Sequence, residues 1–151
     1  MKKGFTMIEL IFVIVILGIL AAVAIPKLAA TRDDAGISKV LSEIGTAVTD
    51  LGSYYTSQGQ FGATIADMTN VKSFSGASDT NLSDGGTINF VVKNNSDVNE
   101  TILTFAFTSD GNLTVTNAAS ATGNIGKGVL ESKALAELNG TKSFGGKKVK
   151  F

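Results

Sequence analysis

An α+β fold, one long N-terminal helix packed on an antiparallel sheet of about four strands, is predicted by three observations on this 151-residue chain. Apolar side chains run almost unbroken from Phe5 to Ile25. Apolar residues then recur at spacings of three and four, at Ile37, Val40, Leu41, Ile44, Val48, Leu51 and Tyr55. Later the period drops to two, with Leu103, Phe105 and Phe107 alternating with Thr104, Ala106 and Thr108.

The first run decides topology. Leu10 to Ile25 holds only apolar side chains and Gly18, and as a helix the stretch from Phe5 to Ile25 extends about 31 Å, one bilayer crossing. Lys2 and Lys3 precede it and stay cytoplasmic, which sends the rest of the chain across the membrane. The competing reading is a cleaved secretory signal, with Ala21-Ala22-Val23-Ala24 as its small-residue site. Such signals have an apolar core of only about 7–15 residues. One acid, Glu9, interrupts the apolar run. Placing it in hydrocarbon costs about 2.5–3.5 kcal/mol, so Glu9 is a functional residue in need of a partner.

Pro26 removes a backbone donor and is expected to kink or open the helix, with Gly18 as a second weak point. After Lys27 the helix turns amphipathic: its apolar residues occupy one sector, and Arg32, Lys39, Glu43 and Asp50 lie opposite. One helix from about Phe5 to Ser57 is expected. Gly36, Gly45 and Gly52 each lower its propensity by about 1 kcal/mol relative to Ala, so packing must hold it. Gln58 to Gly86 is a polar connection anchored by Phe61, Ile65, Met68, Val71 and Phe74. Strands are predicted at Thr87–Lys93, Thr101–Thr108 and Leu113–Asn117, with Asp110-Gly111 as a two-residue hairpin. Val129–Leu138 reads as a short helix and Lys147–Phe151 as a last strand.

About 125 residues lie outside the apolar segment, enough for one exported head and too few for two. Lys and Arg balance Asp and Glu at 13 each, and nothing in that pattern points to a nucleic-acid site. Cys and His are absent, which excludes disulfides, Cys- or His-based zinc sites, Ser-His-Asp triads and Cys-His nucleophiles. No nucleophile–base pair and no cofactor site is visible, so the chain reads as a non-enzyme. A signal-anchored periplasmic enzyme or binding module is the alternative from another class.

Lys2-Lys3-Gly4-Phe5-Thr6-Met7-Ile8-Glu9-Leu10 resembles the class III signal of type IV pilins and type II secretion pseudopilins. The resemblance implies a pilin-like fold and a precursor cut between Gly4 and Phe5 by a membrane prepilin peptidase, which then methylates the new amine of Phe5. It also implies an inner-membrane assembly platform as partner, and self-association into a helical filament. The implied location is the inner membrane, single-pass with a periplasmic head, before assembly. Afterwards it is an extracellular pilus or a periplasm-spanning pseudopilus. Residues 1–4 would be leader, 5–25 membrane and filament core, 26–57 the amphipathic half of the helix, and 58–151 the rest of the head. The favoured function is a pilin for adhesion, motility or DNA uptake, with a secretion pseudopilin as the alternative.

The physical case for Glu9 stands beside this resemblance. Cleavage creates a cationic amine on Phe5, with a reference pKa of about 7.7–8.0, in poorly hydrated surroundings. If subunits stack with a stagger of a few residues, the amine of one meets Glu9 of another and two unpaired charges vanish together. The local alternative is a pair within one chain, because positions 5 and 9 are one turn apart. The family's C-terminal disulfide or proline- and aromatic-rich calcium loop is not present in this sequence.

A second motif lies in the head. Asn81, Asn99, Asn112 and Asn139 each begin Asn-x-Ser/Thr with an acid two residues earlier, whereas Asn94 begins a plain one. The four resemble the extended sequon of bacterial oligosaccharyltransferases, and are candidate N-glycosylation sites, with Asn112 expected to be the most accessible. Clustering of polar residues in turns is the competing explanation. Asp79, Asp84, Asp97, Glu100 and Asp110 could also be read as calcium ligands, but they lack a regularly spaced ligand loop and read better as solvated turn residues.

Overall fold

The computed structural model describes residues 3–75 and 81–145. The chain forms two compact units, Met1–Ala35 and Gly36–Phe151. Helix α1, Met7–Gln58, contributes to both. In the first unit its apolar side chains are all exposed, from Met7 at 78 % to Leu28 at 69 %. The helix is unbroken through Pro26, where the sequence predicted a kink or local opening. Proline removes a single donor there, and the helical bonds on either side are retained.

In the second unit, α1 presents Val40, Ile44, Ala47, Val48, Leu51 and Gly52 as a buried face. Ile37, Leu41 and Tyr55 pack against the same core partly buried. The predicted stripe is therefore present, with two small residues added. Burying its large aliphatics, each worth about 1.5–3 kcal/mol, outweighs the propensity deficit of the glycines. Gly36 and Gly52 have a second use. A Cβ on Gly36 would lie 2.6 Å from Ile125 Cδ1, and one on Gly52 2.7 Å from Phe144 Cε1, so both mark close approaches to the rest of the head. Nothing lies within 4 Å of a Cβ on Gly45.

Among the described residues the sheet has five antiparallel strands in sequential order, against about four expected: β1 Phe74–Ser75, β2 Gly86–Lys93, β3 Asn99–Phe107, β4 Asn112–Asn117 and β5 Gly140–Ser143. The three predicted strands fall where the alternation placed them. The added ones are short edge strands, too brief to carry a period. The predicted strand at Lys147–Phe151 lies outside the described residues. Leu103, Phe105 and Phe107 face the core as expected, and Phe105 meets Phe74 edge-on at a centroid distance of 5.3 Å. Pairing slips by one residue where Phe90 faces Leu103 but Val91 faces Thr101. Ile102 is the extra residue of this bulge, fully buried, with its carbonyl accepting from the N–H of Ala118 at 2.8 Å.

The turn between β3 and β4 is one residue longer than the two-residue hairpin expected. Ser109, Asp110 and Gly111 form its loop, with Gly111 at φ 80° and its N–H donating to the carbonyl of Thr108. A type I turn followed by a left-handed glycine is the usual three-residue solution. The predicted helix at Val129–Leu138 is two helices, α3 Asn124–Leu130 and α4 Lys133–Leu138. Ser132 separates them: its hydroxyl caps α4 by accepting from the N–H of Leu135 at 3.2 Å.

The polar side of α1 is also less solvated than the sequence suggested. Asp50 accepts from the Thr69 hydroxyl at 2.7 Å, and Glu43 accepts from the Ser73 hydroxyl at 2.8 Å. Both half-buried acids tie the connection to the helix. That connection holds a single helical turn, α2, Ile65–Met68, and a 3₁₀ turn at Leu82–Asp84.

Candidate functional site: the N-terminal assembly segment

Residues Lys3 to Thr6 precede the first helical residue, Met7, and are exposed. A Cβ on Gly4 would meet nothing within 4 Å, and Phe5 is 85 % exposed. The Gly4–Phe5 peptide bond therefore lies in open, non-helical backbone. Its neighbours toward the C-terminus are held differently. Glu9 Oε2 accepts from the Thr6 N–H at 2.8 Å and from the Thr6 hydroxyl at 2.7 Å, while the Thr6 hydroxyl oxygen accepts from the Glu9 N–H at 3.3 Å. This is a capping box, with Thr6 at the N-cap and Glu9 three residues on. It satisfies helix-end donors that have no partner within the helix.

Thr6 is thus a site residue that the sequence reading missed. Its signal was legible: Thr6-Met7-Ile8-Glu9 is a T-x-x-E sequence directly before an apolar run. Beside its charge, Glu9 therefore has a structural use in its spacing from Thr6. The box starts the helix at Met7 and places Phe5 just ahead of the N-cap. It also commits Oε2 of Glu9 to Thr6, whereas Oε1 makes no hydrogen bond among the described residues. The carboxylate can therefore cap its own helix with one oxygen and still offer the other to an external cation.

From Phe5 to Leu28 most of the exposed side chains are apolar, and the helix is long and apolar enough to cross a membrane. Gly18 lies in its middle, where an added Cβ would meet nothing within 4 Å, and Pro26 near its end leaves no break.

The acids considered as calcium ligands are distributed otherwise. Asp97, at φ 61°, pairs with Lys93 at 2.7 Å. Glu100 accepts from the N–H and hydroxyl of Thr122 at 2.8 and 2.7 Å and from the Gly123 N–H at 3.1 Å, capping the start of α3. Desolvation works to raise its pKa, but the hydrogen bonds from Thr122 and Gly123 and the charge of Lys127 prevail and hold it below the usual carboxylate range. Among the described residues, no three acids gather as a metal site.

The four extended sequons fall in different settings. Asn81 caps the 3₁₀ turn, with its Oδ1 accepting from the Ser83 N–H at 3.1 Å and hydroxyl at 2.7 Å. Asn99 begins β3, Asn112 begins β4, and Asn139 closes α4. Asn112, expected to be the most accessible, is half-buried, whereas Asn81, Asn99 and Asn139 are exposed or nearly so at the ends of their elements. The hairpin before Asn112 is tethered to the chain beyond β5. Phe144 and Gly145 both donate backbone bonds to the carbonyl of Gly111, at 2.9 and 3.3 Å.

Residues 1–25 match the family model described as the prokaryotic N-terminal methylation motif. The chain is 46 % identical over 43 residues to type II secretion system core protein G of Klebsiella michiganensis, covering 28 % of this chain and 30 % of that protein. It is 49 % identical over 45 residues to type IV major fimbrial protein FimA of Dichelobacter nodosus, covering 30 % of this chain and 29 % of the relative. Fimbrial protein EcpB of Eikenella corrodens is 48 % identical over 48 residues, 32 % of this chain and 30 % of its own length. The chain therefore spans less than a third of the length of the curated relatives it matches. No solved structure matches it with significance. On the methylation motif and these relatives, with the exposed apolar helix that runs through the matched segment, membership of the type IV pilin and type II secretion pseudopilin superfamily is supported for this chain.

Proposed function

We propose that the chain is a prepilin, cut between Gly4 and Phe5, methylated on the Phe5 amine and polymerised through α1 into a filament. It acts as a structural subunit and not as an enzyme, in keeping with relatives named as fimbrial and secretion core proteins. The observation that carries this reading is the juxtaposition of open backbone at Gly4–Phe5 with a continuous exposed apolar helix. Leaving lipid, such a surface must be covered again, and bundling with other copies of itself does so. Prepilin peptidase, an inner-membrane platform and the membrane itself are the partners, with the head in the periplasm before assembly. Glu9 sets the register by receiving the Phe5 amine of a neighbouring subunit on its uncommitted Oε1. Gly18 and Pro26 give the core helix places to yield under load.

Surface adhesion, motility or DNA uptake is the favoured role. The similarity to secretion protein G favours a second reading, a pseudopilin that drives protein export. Mass spectrometry of material sheared from cells, compared with the membrane fraction, separates them. The chain in sheared filaments, beginning at methylated Phe5, is the outcome expected for a surface pilin. A processed chain confined to the membrane would move the assignment to the pseudopilin. In the same assay, Glu9→Ala is expected to be processed normally and to be missing from filaments, because breaking a buried ion pair costs about 3–5 kcal/mol per contact. Wild-type filament yield from the variant would remove Glu9 from assembly.

A further inference from the structure

Among the four extended sequons, the one at Asn139 brings together, at the end of a short helix, an amide uncommitted among the described residues, a nearby acid and a hydroxyl. Glu137, Gly140 and Thr141 are all exposed. Asn139 closes α4 with its N–H donating to the carbonyl of Leu135 at 2.9 Å, and its side chain makes no hydrogen bond among the described residues. Gly140, at φ 109°, then turns the chain into β5, which among the described residues pairs only with β4. The Thr141 hydroxyl shares one hydrogen bond with that of Thr114, at 2.8 Å. Opening the first half of this edge strand releases two of its four ladder positions, Thr141 against Thr114 and Gly140 against Val115, and leaves the rest of the sheet paired.

The other candidates are more constrained. Asn81 uses its side-chain carbonyl to hold Ser83. Asn99 is paired with Lys93 in the β2–β3 ladder, and its preceding acid, Asp97, is ion-paired with the same lysine. Asn112 is half-buried, and its strand lies between β3 and β5.

We propose that Asn139 is an N-glycosylation acceptor for a lipid-diphosphate-linked oligosaccharide, with Glu137 and Thr141 as the groups an acid-requiring oligosaccharyltransferase reads beside it. In the transfer, the amide nitrogen of Asn139 bonds to the anomeric carbon of the first sugar as the bond from that carbon to the diphosphate oxygen breaks. The lipid diphosphate leaves with the electron pair, and the amide gives up one proton to base. The site also accounts for an acid two residues ahead of an asparagine whose side chain has no structural partner among the described residues. This inference rests on the exported-head reading above.

The test uses the full chain, co-expressed with such a transferase and its lipid-linked oligosaccharide, and extended by an unstructured acid-x-Asn-x-Thr tag as a reporter of export. Peptide mass spectrometry is expected to find the oligosaccharide on Asn139 and not on Asn112. Asn139→Gln abolishes it, Glu137→Gln removes most of it, and Thr141→Ser retains it, all three without change in the thermal unfolding of the head. A modified tag beside a bare Asn139 would overturn the assignment and leave export standing. Equal occupancy in Glu137→Gln would overturn the role of the acid. A bare tag together with a bare Asn139 would overturn both the acceptor site and the exported head.

Discussion

Residues 10–25 and residues 37–55 belong to one helix and are both rich in large aliphatics, yet they have opposite fates. In the first stretch Ile14, Ile16 and Leu20 are exposed all round the helix. In the second, Ile44 and Leu51 are fully buried, and polar residues occupy the other side. The second stretch finds its cover within its own unit. The first is exposed within its own unit, and under the prepilin reading proposed above its cover would be lipid or other subunits. Burial of apolar surface is satisfied intramolecularly in one region and reserved for an external partner in the other. Substitutions in the two stretches should therefore separate folding of the head from insertion and assembly.

The largest effect expected is in the head. Phe105→Ala should lower its unfolding free energy by about 3–5 kcal/mol, the usual cost of truncating a buried aromatic. Chemical denaturation of the detergent-solubilised chain measures this, while peptidase processing at Gly4 should proceed as before. Loss of processing in parallel would break the separation. Next, Leu17→Arg should cost about 2.5–3.5 kcal/mol in membrane insertion and leave the denaturation midpoint of the head unchanged. Fractionation between membrane and soluble pools reads the first effect. A shifted head midpoint would show that residues 10–25 do contribute to the head.

A smaller effect is expected at Gly52, where an added Cβ meets Phe144 at 2.7 Å. Gly52→Ala sets a gain in helix propensity of about 1 kcal/mol against overpacking of about 1–3 kcal/mol. The net expectation is modest destabilisation, and Gly45→Ala, with open space around it, should be stabilising. Equal gains at both positions would dispose of the close-approach argument.

The smallest effect is a pH dependence at Glu100. Its folded pKa is depressed, so its contribution to stability is present above the unfolded value of about 4.3 and is lost as pH falls through the lower folded value. Glu100→Gln should flatten that part of the stability profile and loosen the start of α3. An unchanged acid limb in the variant would assign the pH dependence to other carboxylates. None of this should alter the behaviour of residues 10–25.

Much of the molecule was legible from local pattern. The helical stripe from Ile37 to Tyr55 and the alternation from Leu103 to Phe107 each repeat several times within a short window, so a single period identifies them. Short elements carry no such repetition. Phe74–Ser75 and Gly140–Ser143 become strands only because neighbouring strands offer them partners. The split of α3 from α4 was readable in principle from Ser132 as an N-cap, as was the capping box at Thr6 and Glu9.

By itself the sequence determined that an apolar helix begins just after a prepilin-like junction, that its later half is amphipathic, and that the head is α+β without Cys or His chemistry. These are properties of neighbours in sequence, where side-chain spacing translates directly into a face or a transfer energy. The tertiary structure alone decided that Ile102 bulges into the core, that Glu100 caps a helix more than twenty residues away, and that the Asn112 hairpin is tethered while the Asn139 side chain has no hydrogen bond among the described residues. Each depends on groups brought together from distant parts of the chain, and no local period encodes which distant donor a carboxylate or a strand edge will meet.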